Sequence, residues 1–524
     1  MKKGILALLL ALSMMLSSCI VINLPATTVS TQANAQGQVT TPTANEATEG
    51  HADSDSNGLC DDCGCSVILL FDFYVINDLH GKFSDTDSQP GVDELTTYLK
   101  RAYATDENAL FLSSGDMWQG SSESNLTQGH LITEWMNELD FVAMTLGNHE
   151  FDWGVDAIES NLALAEFPFL AINIINNATG KLASFCTPSI MVERSGLQIG
   201  IIGAIGDCYS SISPDQTKGI SFVVGNALTQ LVKEESQRLR EAGADYIIYS
   251  IHDGYEESKS GTTNVASSQL SAYYGAELSK GYVDLVFEGH THQRYVMVDS
   301  NGVYHLQNGG DNKGISHAEV AINFANGSSQ VTEAEFVSTT VYSTLADDPL
   351  IAQLIKKYEE QVSGGYRVLG RNAKKRQSSE LRQLLAQLYY EAGMEKWGSS
   401  YQIALGGGFF TVRSPYTLAA GEVTYADLLM LLPFDNELVL CSIKGRDLKS
   451  KFYNTTNENY FIAYGAYGES LKNNIDDNAT YYIVVDTYTS TYKYNNLTEI
   501  QRFGSAVYAR DLLASYIEAG NLSH

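Results

Sequence analysis

Basic residues are scarce in this sequence of 524 residues: 33 Lys and Arg face 62 Asp and Glu, for a net charge of -29. A nucleic-acid binder needs a basic face to neutralise phosphates, so that class is excluded. Adhesion to anionic lipid through a polybasic patch is excluded on the same ground. Long apolar runs are missing as well; no stretch beyond the N-terminus approaches the roughly 18 residues that span a bilayer. No internal repeat is visible. Cysteine is sparse, with 7 residues, and Cys186, Cys208 and Cys441 stand alone and read as small buried hydrophobes. The chain does hold 44% apolar residues, including 31 Tyr and 19 Phe, which excludes a uniformly disordered acidic chain and suffices for two or three cored domains. The deficit of positive charge is also uneven. Arg367–His524 carries 16 basic and 16 acidic residues, so the whole of the -29 lies in the first 366 residues.

At the N-terminus, Lys2 and Lys3 precede an apolar stretch from Ile5 to Leu16, the outline of a secretory signal that is too short to span a membrane. Leu16-Ser17-Ser18-Cys19 resembles a bacterial lipobox. Residues 1–18 are therefore expected to be a lipoprotein signal peptide and Cys19 the lipidated residue, which places the protein outside the cytoplasm on a lipid anchor. An ordinary signal peptide with an incidental Cys is the alternative. Residues 19–65, rich in Thr, Ala, Gln, Asn and Ser, read as a flexible tether. The tether ends in His51, Asp53, Asp55, Asn57, Gly58, Cys60, Cys63 and Cys65. The first half of a calcium loop is present, but Gly64 stands where its bidentate Glu belongs. A Cys/His zinc knuckle, a small disulfide and an unstructured acidic linker remain open at this point.

From Ser66 the pattern changes. Strand-like apolar runs at Val67–Ile76, Ala109–Ser113, Phe141–Leu146, Phe169–Ile174, Ile199–Ile205, Tyr246–Ile251 and Val283–Phe287 alternate with helix-like stretches such as Glu94–Ala104, Leu131–Leu139, Asp156–Ala165 and Ala227–Ala242. Such alternation predicts an α/β layered domain over 66–342. Leu345–Val362 reads as a connecting helix within a linker of 343–366, broken by Gly364-Gly365, and a second domain follows over 367–524, opening with a helix at Ser379–Ala392 and closing with one at Ala506–Ala519.

Polar residues sit where an α/β sheet places its functional groups, just past the carboxyl ends of strands. Five runs end this way, in Asn77-Asp78-Leu79-His80, Ser114-Gly115-Asp116, Gly147-Asn148-His149-Glu150, His252-Asp253 and Gly289-His290-Thr291-His292. Asp, His and Asn without Cys suit zinc, manganese or iron. Seven plausible ligands are too many for one tetrahedral ion and fit two ions sharing a carboxylate.

This motif series resembles the calcineurin-like binuclear metallophosphatases over residues of about 70–295. The resemblance implies a four-layer α/β/β/α metallophosphatase sandwich, joined by the linker helix to a smaller α+β C-terminal domain. It also implies two divalent ions of the Zn, Mn or Fe type, one held by Asp78, His80, Asp116 and His292, the other by Asp116, Asn148, His252 and His290. Gly147-Asn148-His149-Glu150-Phe151-Asp152 is similar to the 5′-nucleotidase branch, in which the His is paired with this Asp. His149, held by Asp152, would then stabilise charge developing on the phosphoryl group or leaving oxygen, while a helix N-cap before Val155 is the structural alternative for Asp152.

In the second domain, Leu405-Gly406-Gly407-Gly408 with Arg413 resembles the Gly-rich loop and phosphate-binding Arg of the 5′-nucleotidase C-terminal domain, and Leu432-Pro433-Phe434 and Ile443-Lys444-Gly445-Arg446 continue in register. By position the resemblance implies Arg413 for phosphate, Phe434 and Tyr488 for the base, and Arg376 as a second phosphate candidate. Departures stand beside it. Leu405 replaces the Asn usual before the glycines, Arg382-Gln383 replaces a Gly-Asn pair, and Tyr492-Lys493-Tyr494-Asn495 stands where Gly-Gly-Asp is usual. The expected function is two-metal hydrolysis of a small-molecule phosphate ester, a nucleotide foremost. The alternatives are a 2′,3′-cyclic phosphodiesterase, a nucleotide-sugar pyrophosphatase and a non-enzymatic surface nucleotide-binding lipoprotein.

Overall fold

The structure, a computed structural model, describes residues 51–85, 91–255, 278–410, 412–413, 416–453, 461–465, 474–493, 496–504 and 507–523. The expected signal peptide and Cys19 lie outside them.

Two six-stranded sheets form the first part of the body. In the first sheet, β1 (Ile68–Ile76), β2 (Leu110–Ser113), β3 (Ala143–Thr145) and β4 (Phe169–Leu170) run parallel as neighbours. In the second, β5 (Ser189–Arg194) lies antiparallel to β6 (Leu197–Ile205), which continues parallel into β7 (Tyr246–His252) and β8 (Leu285–Phe287), then β10 (Tyr304–Gln307) and the edge strand β9 (Tyr295–Val298). The chain returns to the first sheet through β11 (Gly314–Asn323) and β12 (Ser329–Ser338), with β11 antiparallel to β1.

The period of two along each strand sets the layers. Phe71, Phe73 and Val75 of β1 face Ile199, Ile201 and Ile248 of the other sheet, so the two sheets share a dry core. Tyr74 and Ile76 point the opposite way, onto Leu95 and Leu99 of helix α1 (Asp93–Thr105) and Leu131 and Trp135 of α2 (His130–Asn137). Ile202, Ile247 and Tyr249 turn outward on the second sheet and meet Leu228, Val232 and Leu239 of α3 (Asn226–Glu241). The four layers implied by the motif series are thus helix, sheet, sheet, helix.

The expected single strand at Phe169–Ile174 is split: Ile174–Asn176 leaves the main sheet and pairs with Lys181–Leu182 and Ile220–Phe222 in a small sheet of its own. The connector is also less simple than one helix. It is built of Thr339–Tyr342, Pro349–Lys357 and Glu359–Val362 and a tight 3-10 turn at Ser363–Tyr366. Asp348 caps the Pro349 helix through the Leu350 amide at 2.9 Å, where the fixed φ of proline suits the first turn. Lys357 and Tyr358 both bind the Glu134 carboxylate of α2, and Tyr366 donates to Glu123, so the connector is docked along its length.

The C-terminal domain centres on a five-stranded sheet in the order Ile462–Tyr464, Ile403–Gly408, Thr480–Asp486, Leu438–Lys444, Thr498–Arg502. The helix Ser378–Trp397 packs on it through Leu381, Leu385, Leu388 and Tyr389. The glycines expected as a loop stand instead in the buried strand Ile403–Gly408. Their value is close packing: a Cβ on Gly406 would collide with the backbone of Tyr390 in that helix.

The end of the expected tether, from His51 to Cys65, is folded. Residues from His51 onward form hydrogen-bonded turns against the β11–β12 hairpin. The Asp53 carboxylate accepts from the Asn57 and Gly58 amides at 3.0 and 2.9 Å and from Asn323 Nδ2 at 2.6 Å. Asp55 is occupied likewise by the Asn57 amide and side chain. These carboxylates build the turn, which answers the half calcium loop of the sequence.

Candidate metal centre

Both sheets direct the carboxyl ends of their parallel strands at one place. Asp78 and His80 follow β1, Asp116 follows β2, Asn148 follows β3, His252 ends β7, and His290 and His292 follow β8. Five of these seven, Asp78, His80, Asp116, His290 and His292, hold left-handed backbone with φ between 51° and 71°. Non-glycine residues adopt that region at a cost, and it concentrates at functional sites. The glycines beside them are required by close approach. Gly115 (φ 92°) would bring a Cβ to 2.7 Å from both Gly147 N and His252 Nδ1, and a Cβ on Gly147 would collide with the Asp116 carboxylate.

The side chains converge. His292 Nε2 lies 3.2 Å from Asp78 Oδ1, and His252 Nε2 lies 3.1 Å from Asp116 Oδ2. His80 Nε2 and His292 Nε2 stand 3.0 Å apart. Asp78, His80, Asp116, Asn148 and His252 are buried. Asn148 Oδ1 is buried without a hydrogen-bond partner, and Asp78 Oδ1 and His252 Nε2 form no well-aligned hydrogen bond beyond these close ion-pair contacts. Buried polar atoms left in this way are costly unless something else binds them, and oxygen and imidazole donors aimed at one space suit divalent cations. The residues present therefore fit the implied ions. Outer contacts fix the ring tautomers: His80 Nδ1 sits 2.9 Å from the Gln119 carbonyl and His252 Nδ1 2.6 Å from that of Ser114, leaving each Nε2 for a metal.

The electrostatics agree. Burial, then the charges of Arg413, His292 and His149, hold His80 well below its ordinary pKa, so it is a neutral donor. Burial opposes charge on His252, but Asp116 and Asp78 outweigh it and raise its pKa to about 10. A proton there takes the place a cation would fill, so metal and proton compete.

Glu150, which belongs to the Gly147–Glu150 motif but had no role assigned from sequence, is fully buried and joins two loops. Its carboxylate accepts from the amides of Asp116 (2.9 Å), Met117 (2.8 Å) and Gly147 (2.7 Å). Asn77 does the same for Asp78, donating to Oδ2 at 2.6 Å, and is itself held by Asn308. The only signal for either was adjacency to a ligand.

His149 lies on a short 3-10 turn, His149–Phe151, with Nδ1 2.8 Å from Asp152 Oδ2. Burial disfavours its charge, but Asp152 and Asp116 prevail and the net shift is upward. The following helix is capped by Gly154 with no side-chain hydrogen bond, so Asp152 serves the histidine and not the helix end.

The C-terminal domain reaches this centre. The Phe434 ring stacks on His149 with centroids 5.9 Å apart, and the Arg413 guanidinium lies 5.9 Å from the centroid of the same Phe434 ring. Arg413 Nη2 approaches His80 Nδ1 to 3.5 Å. A cavity of about 620 Å³ opens between the domains, lined by Asn148, His149, Asp152, His290, Arg413, Phe434 and Tyr488 among others. Phe409, Phe410 and Asp486 line it too and were not foreseen; they follow or end buried strands with no local motif. Arg376 is not brought to the cavity. It pairs with Leu418 in a short ribbon and donates to Asn372 Oδ1 at 3.1 Å. A buried Asn372, fixed by the carbonyls of Leu418 and Ala419, holds that guanidinium away.

Comparison with known proteins agrees with this geometry. Residues 71–294 match the calcineurin-like phosphoesterase family and residues 355–468 the 5′-nucleotidase C-terminal domain. The chain is 26% identical over 441 residues to protein UshA of Yersinia enterocolitica, covering 75% of this chain and 77% of that one. It is 24% identical to a 5′-nucleotidase of Vibrio vulnificus, covering 71% and 73%. The fold is shared with a 5′-nucleotidase precursor from Thermus thermophilus, at a TM-score of 0.66, 19% identity, and coverage of 86% and 96%.

Proposed function

We propose that the chain is a metal-dependent phosphoester hydrolase, in which a region matching the calcineurin-like phosphoesterase family precedes one matching the 5′-nucleotidase C-terminal domain, and that its residues share the reaction as follows. Asp78, His80, Asp116 and His292 would hold one divalent ion, and Asp116, Asn148, His252 and His290 would hold the second. Bound there, divalent ions would lower the pKa of a coordinated water and draw charge from the phosphoryl oxygens. His149, kept protonated by Asp152, donates to the oxygen on which charge develops. Arg413 holds the phosphate from the opposite side with a guanidinium fork. Phe434 and Tyr488 offer aromatic faces to a base, which makes a nucleotide the preferred ester.

The observation that carries this reading is the convergence of buried Asp78, Asp116, Asn148 and His252, with Asn148 Oδ1 left without a hydrogen-bond partner, beside the His149–Asp152 pair on the cavity that Arg413 and Phe434 enter. Hydrolysis of AMP, 2′,3′-cyclic AMP and UDP-glucose by the Mn²⁺- or Zn²⁺-loaded protein tests it. AMP is expected to be the best substrate, with activity abolished in Asp116→Ala and cut by about 10²–10³-fold in His149→Ala. No turnover of any ester by the metal-loaded protein overturns it. A preference for the cyclic ester or the nucleotide sugar would follow from the absence of Gly-Gly-Asp near Tyr492, a stretch that in this sequence carries no carboxylate for the ribose. The basic and apolar N-terminus supports an extracytoplasmic location, with anchoring through Cys19.

A further inference from the structure

Far from the catalytic cleft in sequence, four ligand-type side chains meet on the segment that precedes β1. His51 Nδ1 lies 3.6 Å from Cys63 Sγ and 3.7 Å from Cys65 Sγ, and the two sulphurs are 2.9 Å apart, beyond the roughly 2.0 Å of a disulfide bond. Cys60 Sγ joins them: one donor atom from each of His51, Cys60, Cys63 and Cys65 lies within 4.8 Å of every other. Among the described residues all six cysteines are free.

The backbone is shaped to hold this cluster. Cys60 N donates to the Cys65 carbonyl and Gly64 N to that of Cys60, both at 2.8 Å, which closes a tight turn with Gly64 at φ 70°. Leu59 and Ser66 pair across its base, and Val67 N donates to the Gly58 carbonyl at 3.0 Å. His51 is brought over the turn from the other side. Asp61 N donates to the Ala52 carbonyl at 2.7 Å, and the His51 ring packs edge-on to Phe324 with centroids 5.8 Å apart. The two flanking carboxylates, Asp53 and Asp55, are spent on backbone amides and do not compete as ligands.

We infer that His51, Cys60, Cys63 and Cys65 form a structural Zn²⁺ site that fastens the start of the folded body to the β11–β12 hairpin. Three thiolates and one imidazole are a soft-to-borderline set that selects zinc over the harder ions suited to the Asp, Asn and His centre. The Cys-x-x-Cys-Gly turn supplies two sulphurs from one knuckle, Cys65 a third from its exit, and His51 closes the tetrahedron. Binding displaces the thiol protons of the three cysteines to solvent and leaves the site with one net negative charge.

Cobalt substitution of the full chain separates this site from the catalytic one, because only sulphur ligands give an intense thiolate-to-cobalt charge-transfer band. The band is expected in the wild type and lost in both Cys63→Ser and Cys65→Ser. Those variants should bind one zinc equivalent fewer and keep full hydrolysis with Mn²⁺, which shows that they have folded. Absence of the band in the reduced wild type overturns the inference. So does an undiminished band in Cys63→Ser, which would assign it to Cys208, grouped with His252 and His290. A mass lower by two hydrogens in the zinc-treated wild type, marking a Cys63–Cys65 disulfide, overturns it as well. None of these readings depends on which ester is hydrolysed.

Discussion

In the phosphoesterase domain the proposed ligands stand at or just past the ends of parallel strands, each announced by a short motif. In the C-terminal domain the cavity is assembled from Phe409, Arg413, Phe434, Asp486 and Tyr488, scattered over separate elements; the family resemblance points to Arg413, Phe434 and Tyr488 but not to Phe409 or Asp486. The difference follows from what each must do. Metal ligation fixes residue type and direction to a fraction of an ångström, so the sequence is constrained locally. An aromatic wall tolerates exchange of one ring for another and can be supplied from any strand that ends nearby. The first domain is thus proposed to hold the chemistry and the second the recognition.

The strongest test of that division is Asp116→Asn. Removing the shared carboxylate should cut kcat by about 10³-fold or more for every ester alike, with a loss of bound metal by elemental analysis. His149→Ala should lower kcat by about 10²–10³-fold with metal content unchanged; a matching rise in KM alone would move His149 to the recognition side. Glu150→Gln, which touches neither ion nor substrate, should weaken metal affinity by about 10–100-fold, read by titration of activity with Mn²⁺. Phe434→Ala should lower kcat/KM for AMP by about tenfold, through the stacking lost to the base, and leave a small non-nucleotide phosphate ester less affected. An equal loss on both esters would break the comparison, because Phe434 would then act through His149. The smallest effect concerns pH. The charged form of His149 is favoured by Asp152, so activity should persist above the ordinary imidazole range and fall as pH rises through the raised value. Asp152→Asn removes the main favourable charge, and the alkaline limb of the kcat profile should shift to lower pH.

The unevenness in legibility has the same origin. Position after apolar runs marks the five polar clusters, and the family resemblance implies the seven proposed ligands and the His149–Asp152 pair among them. Glu150 could not be read so, because a buried carboxylate that ties two loops by their amides looks in sequence like any Glu. Arg376, a phosphate candidate by sequence, lies outside the cavity lining and donates to Asn372, a contact that a basic stretch does not announce. The glycines of Gly406–Gly408 were read as a loop because a strand pressed on a helix backbone and a flexible turn ask for the same residue. The separation of Ile174–Asn176 from the main sheet was hidden by a continuous apolar run.

The left-handed backbone of Asp78, His80, Asp116, His290 and His292 has a consequence for handling the protein. Each such residue disfavours the native state by about 1–3 kcal/mol, and without cations the neighbouring carboxylates and imidazoles must be reconciled by protons. Cations that bind only the folded chain shift the balance back, by about 2.7 kcal/mol for each site at a hundredfold excess over its Kd. The reaction's ions are then also ligands of folding, and a chelator in the purification buffer should lower the melting temperature as well as the rate.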